Sequence, residues 1–318
     1  MEYSIVAIVL LIGMLVYFKV ADKFNIIDKP NERSSHTQIT LRGGGVIFYF
    51  GALMFFITSH FAYPYFFVGL TLMAVISFLD DLHSLPNRLR ILVHSISMLL
   101  VFYQLNLYDL AWWWILPAFI VCIGTINAYN FMDGINGITA ANSLAVLALL
   151  YLVNGYIPFI EEEFLVYVSI SVLVFSLFNF RTKAKCFAGD VGSVSIAFII
   201  LFLIIKLILQ TNNLIYILFL LVYGLDTVGT IIRRLQKGEN IFEAHRSHLY
   251  QFLANEDKKD KLMVSFSYGI IQLVVGLVII YFAKNLPEYQ GYLAVSLLFF
   301  GALVYLYIKN QLIKKHNL

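Results

Sequence analysis

Carboxylates stand in this chain at places where its apolar sequence should exclude them. Asp80 and Asp81 follow directly on the run Ala74-Val75-Ile76-Ser77-Phe78-Leu79. Adjacent like charges at such a boundary repel unless a cation, a proton or water relieves them. The pair suits a divalent metal or acid–base work, and a solvated helix end would read the same way. A second polar group, Asn127, Asn130 and Asp133, lies between two apolar runs at i, i+3 and i+6, which puts three oxygen-bearing side chains on one helical stripe. Gly134 and Gly137 then thin the backbone so that it can approach a ligand. A third, Asp190, is a hard oxygen donor set between Gly189 and Gly192 at the opening of an apolar run, and simple N-capping by Asp190 or Ser193 is the plainer alternative.

Groups that would bind anions accompany the carboxylates. His245-Arg246-Ser247-His248 places two imidazoles at i and i+3, on one helix face, around an arginine. Zinc would need further ligands that the chain does not offer nearby, whereas the arginine fork suits phosphate. Asp226 precedes this segment, with Arg233 and Arg234 between them. Near the start, Arg33, His36 and Arg42 flank Gly43-Gly44-Gly45, a glycine run that reads as an anion cradle at a helix entrance. His60, His94 and His316 read as interfacial or exposed, without a role. Cys122 and Cys186 form neither a disulfide framework nor a metal site.

The elements that must position these groups are membrane helices. Of 318 residues, 60% are hydrophobic and 13% charged, about half the charged fraction of a soluble domain, which excludes a soluble globular enzyme. Apolar runs near 3–20, 44–60, 62–79, 91–106, 111–127, 137–154, 164–179, 193–209, 212–230, 264–283 and 290–308 predict an all-α, polytopic bundle of about 11 transmembrane helices. Alternate loops differ sharply in charge. One set, 19–43, 80–90, 180–192, 231–263 and 309–318, carries 20 of the 22 basic residues, and the other holds Glu161, Glu162 and Glu163. The positive-inside rule therefore predicts an N-terminus outside and a cytoplasmic C-terminus. Every polar cluster described above then faces the cytoplasm. The net charge of +3 gives no argument for nucleic acid. Hard-metal carboxylates, phosphate-binding side chains and opened helix ends on one membrane face suit phosphate chemistry on an amphiphilic substrate. A transporter or flippase for an anionic lipid or nucleotide sugar is the alternative, and it would place its charges near the bilayer midplane.

At these residues the chain resembles the polyprenyl-phosphate N-acetylhexosamine-1-phosphate transferase family, which includes the peptidoglycan enzyme phospho-N-acetylmuramoyl-pentapeptide transferase and the initiators of O-antigen synthesis. The resemblance is carried by Asp28-Lys29-Pro30 with Arg33 and His36, Gly43-Gly44-Gly45, Asp80-Asp81 with Leu85-Pro86 and Arg88, Asn130-Phe131-Met132-Asp133-Gly134, Phe187 to Ser193, and His245 to His248. It implies transfer of a sugar 1-phosphate from a UDP-N-acetylhexosamine to undecaprenyl phosphate at the inner (plasma) membrane, with magnesium or manganese, release of UMP and initiation of a cell-surface glycan. It implies Asp190 as the chief metal ligand, helped by Asp133 and Asn130, and Asp80 and Asp81 as a catalytic pair. Asp133, His245, Arg246 and His248 would complete the catalytic set, with Asn127, Asn130, Arg33, His36, Arg42 and Gly44 binding substrate. One transferase domain, 1–318, would carry catalytic loops at 21–43, 80–90, 127–137, 180–193 and 226–262. The chain departs from the family at Asn136, where many relatives have an aspartate, and its His245–Gln251 loop looks closer to the O-antigen initiators than to the peptidoglycan enzyme.

Overall fold

The computed structural model describes residues 2–30, 38–241 and 245–317. Arg33 and His36 lie outside the described residues. In chain order the helices are α1 (Glu2–Lys23), α2 (Val46–Thr58), α3 (Pro64–Leu82), α4 (Asn87–Gln104), α5 (Trp112–Met132), α6 (Ile138–Asn154), α7 (Glu162–Asn179), α8 (Gly189–Thr211), α9 (Leu221–Gln236), the single turn α10 (Leu249–Gln251), α11 (Lys261–Asn285) and α12 (Gln290–His316). Ten of the expected apolar runs each fall on one of them, and the run 212–230 is divided between a 3-10 stretch, Leu214–Leu220, and α9. Eight helical stretches are long and apolar enough to cross a membrane, while Val46–Thr58 and Ile138–Asn154 are apolar but shorter.

Helix α8 is the axis around which the others gather. Its sequence has no polar stripe to turn outward, the pattern of a helix surrounded by protein, and its residues are buried without a break from Val191 to Ile204. It packs on α2, α3, α5 and α6, with α7 behind α2 and α11 against α6. Aromatic contacts fill the joints, Phe66 of α3 stacking on Phe202 of α8 at 4.1 Å and Phe55 of α2 on Phe164 of α7 at 4.6 Å between centroids. Helix α12 is the opposite case. It touches α9 and α11 along one edge and leaves nearly all its apolar surface outward, as a helix facing lipid does.

Alternating helix directions gather α1, α3, α5, α7 and α9 by their C-terminal ends, where they meet the starts of α2, α4, α6 and α8. At the opposite end Tyr167 donates to Glu2, and Tyr63 donates to Glu161 Oε2 at 2.7 Å. One element departs from the all-α expectation. Within the segment expected as loop 21–43, β1 (Ile27–Asp28) and β2 (Thr40–Leu41) pair antiparallel, and Leu41 bridges to Cys186 in parallel. This ribbon ties the chain before α2 to the chain before α8.

Candidate active site

Asp81 stands in the last turn of α3, and its carboxylate closes the start of α8. Its Oδ1 accepts from Asp190 N at 2.9 Å and its Oδ2 from Val191 N at 3.0 Å, satisfying two of the amides that a helix start leaves open. Arg42 Nε adds a third contact to Oδ1 at 2.7 Å. Gly189 permits this approach because it has φ +71° and a Cβ there would sit 2.5 Å from Asp81 Oδ2. Asp81 is thus committed to backbone and arginine. It sets where Asp190 stands.

Asp80, its neighbour, accepts from Leu85 N at 2.6 Å through Oδ1 and pairs with Arg90 Nη1 at 2.8 Å through Oδ2. Asp190 is held more loosely. Its Oδ1 lies 3.4 Å from Arg42 Nη2 and its Oδ2 lies 3.2 Å from Arg90 Nη2, both longer than a tight charge-assisted bond. Three carboxylates therefore interleave with two guanidiniums, and Asp190 has the weakest claims on it.

The glycine run has a different task from the expected amide cradle. Gly44 N donates to Phe187 O at 2.8 Å and Gly45 N to Ala188 O at 3.0 Å, so neither amide is turned to a ligand. The correction for Gly44 is steric, since a Cβ would meet Cys186 Sγ at 2.6 Å, and one on Gly45 would meet Gly192 Cα at 2.3 Å. These glycines let two backbones touch where Arg42 meets Asp81.

On the next helix end, Asn127 donates to Ile123 O at 2.8 Å within α5, and Asn130 lies one turn on. Asp133 follows α5 and accepts from Thr139 Oγ1 at 2.7 Å. Burial, partly offset by that hydroxyl and reinforced by Asp190, pushes its carboxyl up to about 6. Asn136 explains its own departure from the family. Its Nδ2 donates to Arg181 O at 2.7 Å and Thr182 O at 3.3 Å, and a carboxylate would oppose both carbonyls. Asn136→Asp should cost about 1–3 kcal/mol, the penalty of buried acceptors left unpaired. Thermal unfolding in detergent checks this, and a variant as stable as wild type refutes it. Asn179 clamps the same two loops, accepting from Gly137 N at 2.7 Å and donating to Cys186 O at 2.9 Å.

Asp226 repeats the device of Asp81. Buried in α9, it accepts from Leu249 N at 2.8 Å, Tyr250 N at 3.2 Å and Tyr268 Oη at 2.8 Å. Behind it, Lys309 of α12 donates to Thr230 Oγ1 at 2.7 Å and to Tyr305 Oη, and the Thr230 hydroxyl donates to Asp226 Oδ1 at 3.3 Å. The grip on α10 fixes His248 at its N-terminus, with Nδ1 3.5 Å from Asp226 Oδ1. His245 and His248 consequently do not share a helix face as their spacing suggested. Residues 245–247 are not helical, and the rings approach each other to 4.9 Å between centroids. Burial, with His248 and Arg234 beside it, draws the His245 imidazole down to about 4, so it is neutral near pH 7. Arg246 reaches Glu256 Oε1 at 3.6 Å and is not among the side chains lining the cleft described next.

That cleft, about 480 Å³, opens between α4, α5 and α9. Arg90, His94, Asn127, Asn130, His245 and His248 line it with nitrogen, among Ile91, Phe131, Ile231 and Ile241, and among the described residues no carboxylate is in its wall. Asn130 Nδ2 and His248 Nε2 are buried there with no hydrogen-bond partner. Arg90 belongs to both regions, since it lines the cleft and reaches Asp80 and Asp190. Sequence reading passed over Arg90 as one more basic residue and placed His94 at an interface, whereas His94 is buried in the cleft wall. Only the spacing of Arg90 and His94, one helical turn apart, hinted at it.

The carboxylate group offers oxygen donors alone, the chemistry of a hard dication. Among the described residues no three His, Cys, Asp or Glu side chains already surround a metal position. The arginines hold the positive charge there, and a dication would bind at Asp190 by displacing their long contacts. In donor type the residues fit.

Known proteins are similar to this chain in sequence. A family model described as glycosyl transferase family 4 matches residues 63–208, the stretch holding Asp80, Asp81, Arg90, Asn130, Asp133 and Asp190. A probable undecaprenyl-phosphate N-acetylglucosaminyl 1-phosphate transferase of Bacillus subtilis (strain 168) is 26% identical over 258 residues, covering 74% of this chain and 71% of that protein. The undecaprenyl-phosphate alpha-N-acetylglucosaminyl 1-phosphate transferase of Escherichia coli (strain K12) is 25% identical over 276 residues, 79% of this chain and 75% of that protein. The protein of the same name from Salmonella typhi is 26% identical over 259 residues, with coverages of 74% and 71%. With three carboxylates and a nitrogen-lined cleft joined by Arg90 on a helical membrane scaffold, the chain is similar to glycosyl transferase family 4 over residues 63–208 and is a phosphotransferase.

Proposed function

We propose that the protein transfers an N-acetylhexosamine 1-phosphate, N-acetylglucosamine 1-phosphate in the first instance, from a UDP-sugar to undecaprenyl phosphate, giving undecaprenyl-diphosphate-sugar and UMP. The observation that carries this reading is the shared Arg90. A cleft whose described walls offer donors and no carboxylate suits a diphosphate, and Arg90 joins it to the carboxylates that would hold a metal. The names of the relatives support the lipid and the sugar.

The acceptor phosphate has a second pKa of about 6 and is largely dianionic at pH 7, so its oxygen can attack the sugar-linked phosphorus without giving up a proton. The new P–O bond forms as the bond to UMP breaks, in a single displacement. Asp81 fixes the start of α8 and thereby Asp190. Arg90 and His248 hold phosphate oxygens in line, and neutral His245 can donate one hydrogen bond. Magnesium, held by Asp190 with Asp80 and Asp133 near it, would neutralise charge developing on the departing UMP. Asn127 and Asn130 line the same cleft as substrate contacts.

We also place the eleven helical runs as spans of the plasma membrane, with the N-terminus outside and the site on the cytoplasmic face, because the basic loops all adjoin it. A cysteine placed beside Glu162 should react with an impermeant thiol reagent from outside, and one beside Arg246 should not. Opposite labelling inverts the topology. For the reaction itself, purified protein given radiolabelled UDP-N-acetylglucosamine, magnesium and undecaprenyl phosphate should release UMP only with the lipid present. Movement of the nucleotide sugar across a vesicle without UMP release would favour a transporter. Efficient turnover of the UDP-muramoyl-pentapeptide would refute the choice of sugar.

A further inference from the structure

His94 is the eighth residue of α4 and is 2% exposed, yet neither Nδ1 nor Nε2 has a hydrogen-bond partner. A buried imidazole without partners weakens a fold, because its nitrogens give up water and receive nothing in exchange. Among the described residues no hydrogen bond offsets this. The side chain does, however, line the cleft, one helical turn beyond Arg90 and on the same face of α4. Across the cleft, Asn130 Nδ2 and His248 Nε2 are buried and unpartnered in the same way. Three unsatisfied polar groups from α4, α5 and the segment before α10 converge on one space walled by nitrogen.

We propose that His94 is a substrate-binding residue that donates a hydrogen bond to a phosphate oxygen, deeper along α4 than the oxygens held by Arg90. The chemistry of the wall selects the ligand. Arg90 is cationic, Asn130 and His94 each present an N–H, and with no carboxylate among the described lining residues an anion is the species the space accepts. A phosphate there can belong to the diphosphate of the sugar donor or to the lipid acceptor. This inference rests on the transferase reading, and its test separates the two.

Replacing the ring by leucine removes the buried unsatisfied nitrogens, so ligand-free His94→Leu should melt at or above the wild-type temperature. Its KM for one substrate should rise at least about ten-fold while the other stays within about two-fold, and the substrate whose KM moves is the owner of the phosphate. His94→Gln, which keeps an N–H at similar reach, should recover most of the loss. Unchanged KM values for both substrates, an equal rise in both, or no recovery in His94→Gln would overturn the proposal. If wild-type protein releases no UMP, the transferase reading falls, and inorganic pyrophosphate still tests His94. It should raise the melting temperature of wild type and not of His94→Leu, and an equal shift in the two would overturn the assignment.

Discussion

Asp190→Asn should cut turnover by about two to three orders of magnitude and leave the protein folded. The substitution keeps the shape of the side chain and removes one negative charge from a group of three carboxylates. Both guanidiniums keep a partner, since Arg42 stays 2.7 Å from Asp81 and Arg90 stays 2.8 Å from Asp80. The ion pairs that the amide weakens are the two longest in the cluster, at 3.2 and 3.4 Å, so stability should change by no more than about 1 kcal/mol. Activity is another matter. A hard dication binds an amide oxygen far less well than a carboxylate, and removing preorganised charge from a site that must stabilise a departing phosphate costs on the order of 10²–10³ in rate. Initial rates across a range of magnesium concentrations, taken beside thermal unfolding, measure both effects. Near-normal rates at low magnesium would remove Asp190 from the site.

Asp81→Ala should have the reverse profile, with the fold failing first. The variant strips acceptors from the amides of Asp190 and Val191 and takes from the Arg42 Nε its 2.7 Å partner. Breaking a buried ion pair on one side costs about 3–5 kcal/mol, a large part of the roughly 5–15 kcal/mol that holds a typical domain together. The midpoint of unfolding should fall steeply and activity with it. Asp81→Asn should lie between, because its amide oxygen still accepts one N–H while its NH₂ opposes the other. A wild-type midpoint for Asp81→Ala would show that the start of α8 is held by something else. The two adjacent aspartates, alike in sequence, thus differ from Asp190 in kind: Asp81 holds backbone, and Asp190 is the carboxylate least committed to the protein.

That difference shows where sequence reading reaches and where it stops. Length and apolar composition are local properties, so each expected run became helical. Asp80, Asp81, Asp133, Asp190 and Asp226 were legible as residue types too costly for their positions. Their division of labour was not, because it depends on backbone from α8 meeting a side chain from α3. The glycine run looked like a cradle because open amides and amides spent on Phe187 and Ala188 are indistinguishable in one dimension. Two-residue strands leave no alternation to detect, which hid the ribbon at Ile27–Asp28 and Thr40–Leu41. His94 was invisible for a related reason. A single histidine in an apolar run has no periodic partner, and its cleft exists only where α4, α5 and α9 converge.

The two aspartate grips also govern the order in which the molecule can come into being. Asp81 leaves the ribosome 109 residues ahead of Asp190, whose amide it must bind, an interval of roughly 5–20 s at ordinary rates of synthesis. Through that time its charge is met by Arg42 and water and not by the α8 amides, so α3 must enter the bilayer with its charged end kept at the aqueous edge. Asp226 waits a further 23 residues for Leu249, and 79 separate Thr230 from Lys309, which backs it from the final helix. A nascent chain ending between α11 and α12 therefore holds every carboxylate of the site, with Asp226 already able to bind Leu249, Tyr250 and Tyr268 but without Lys309 behind Thr230.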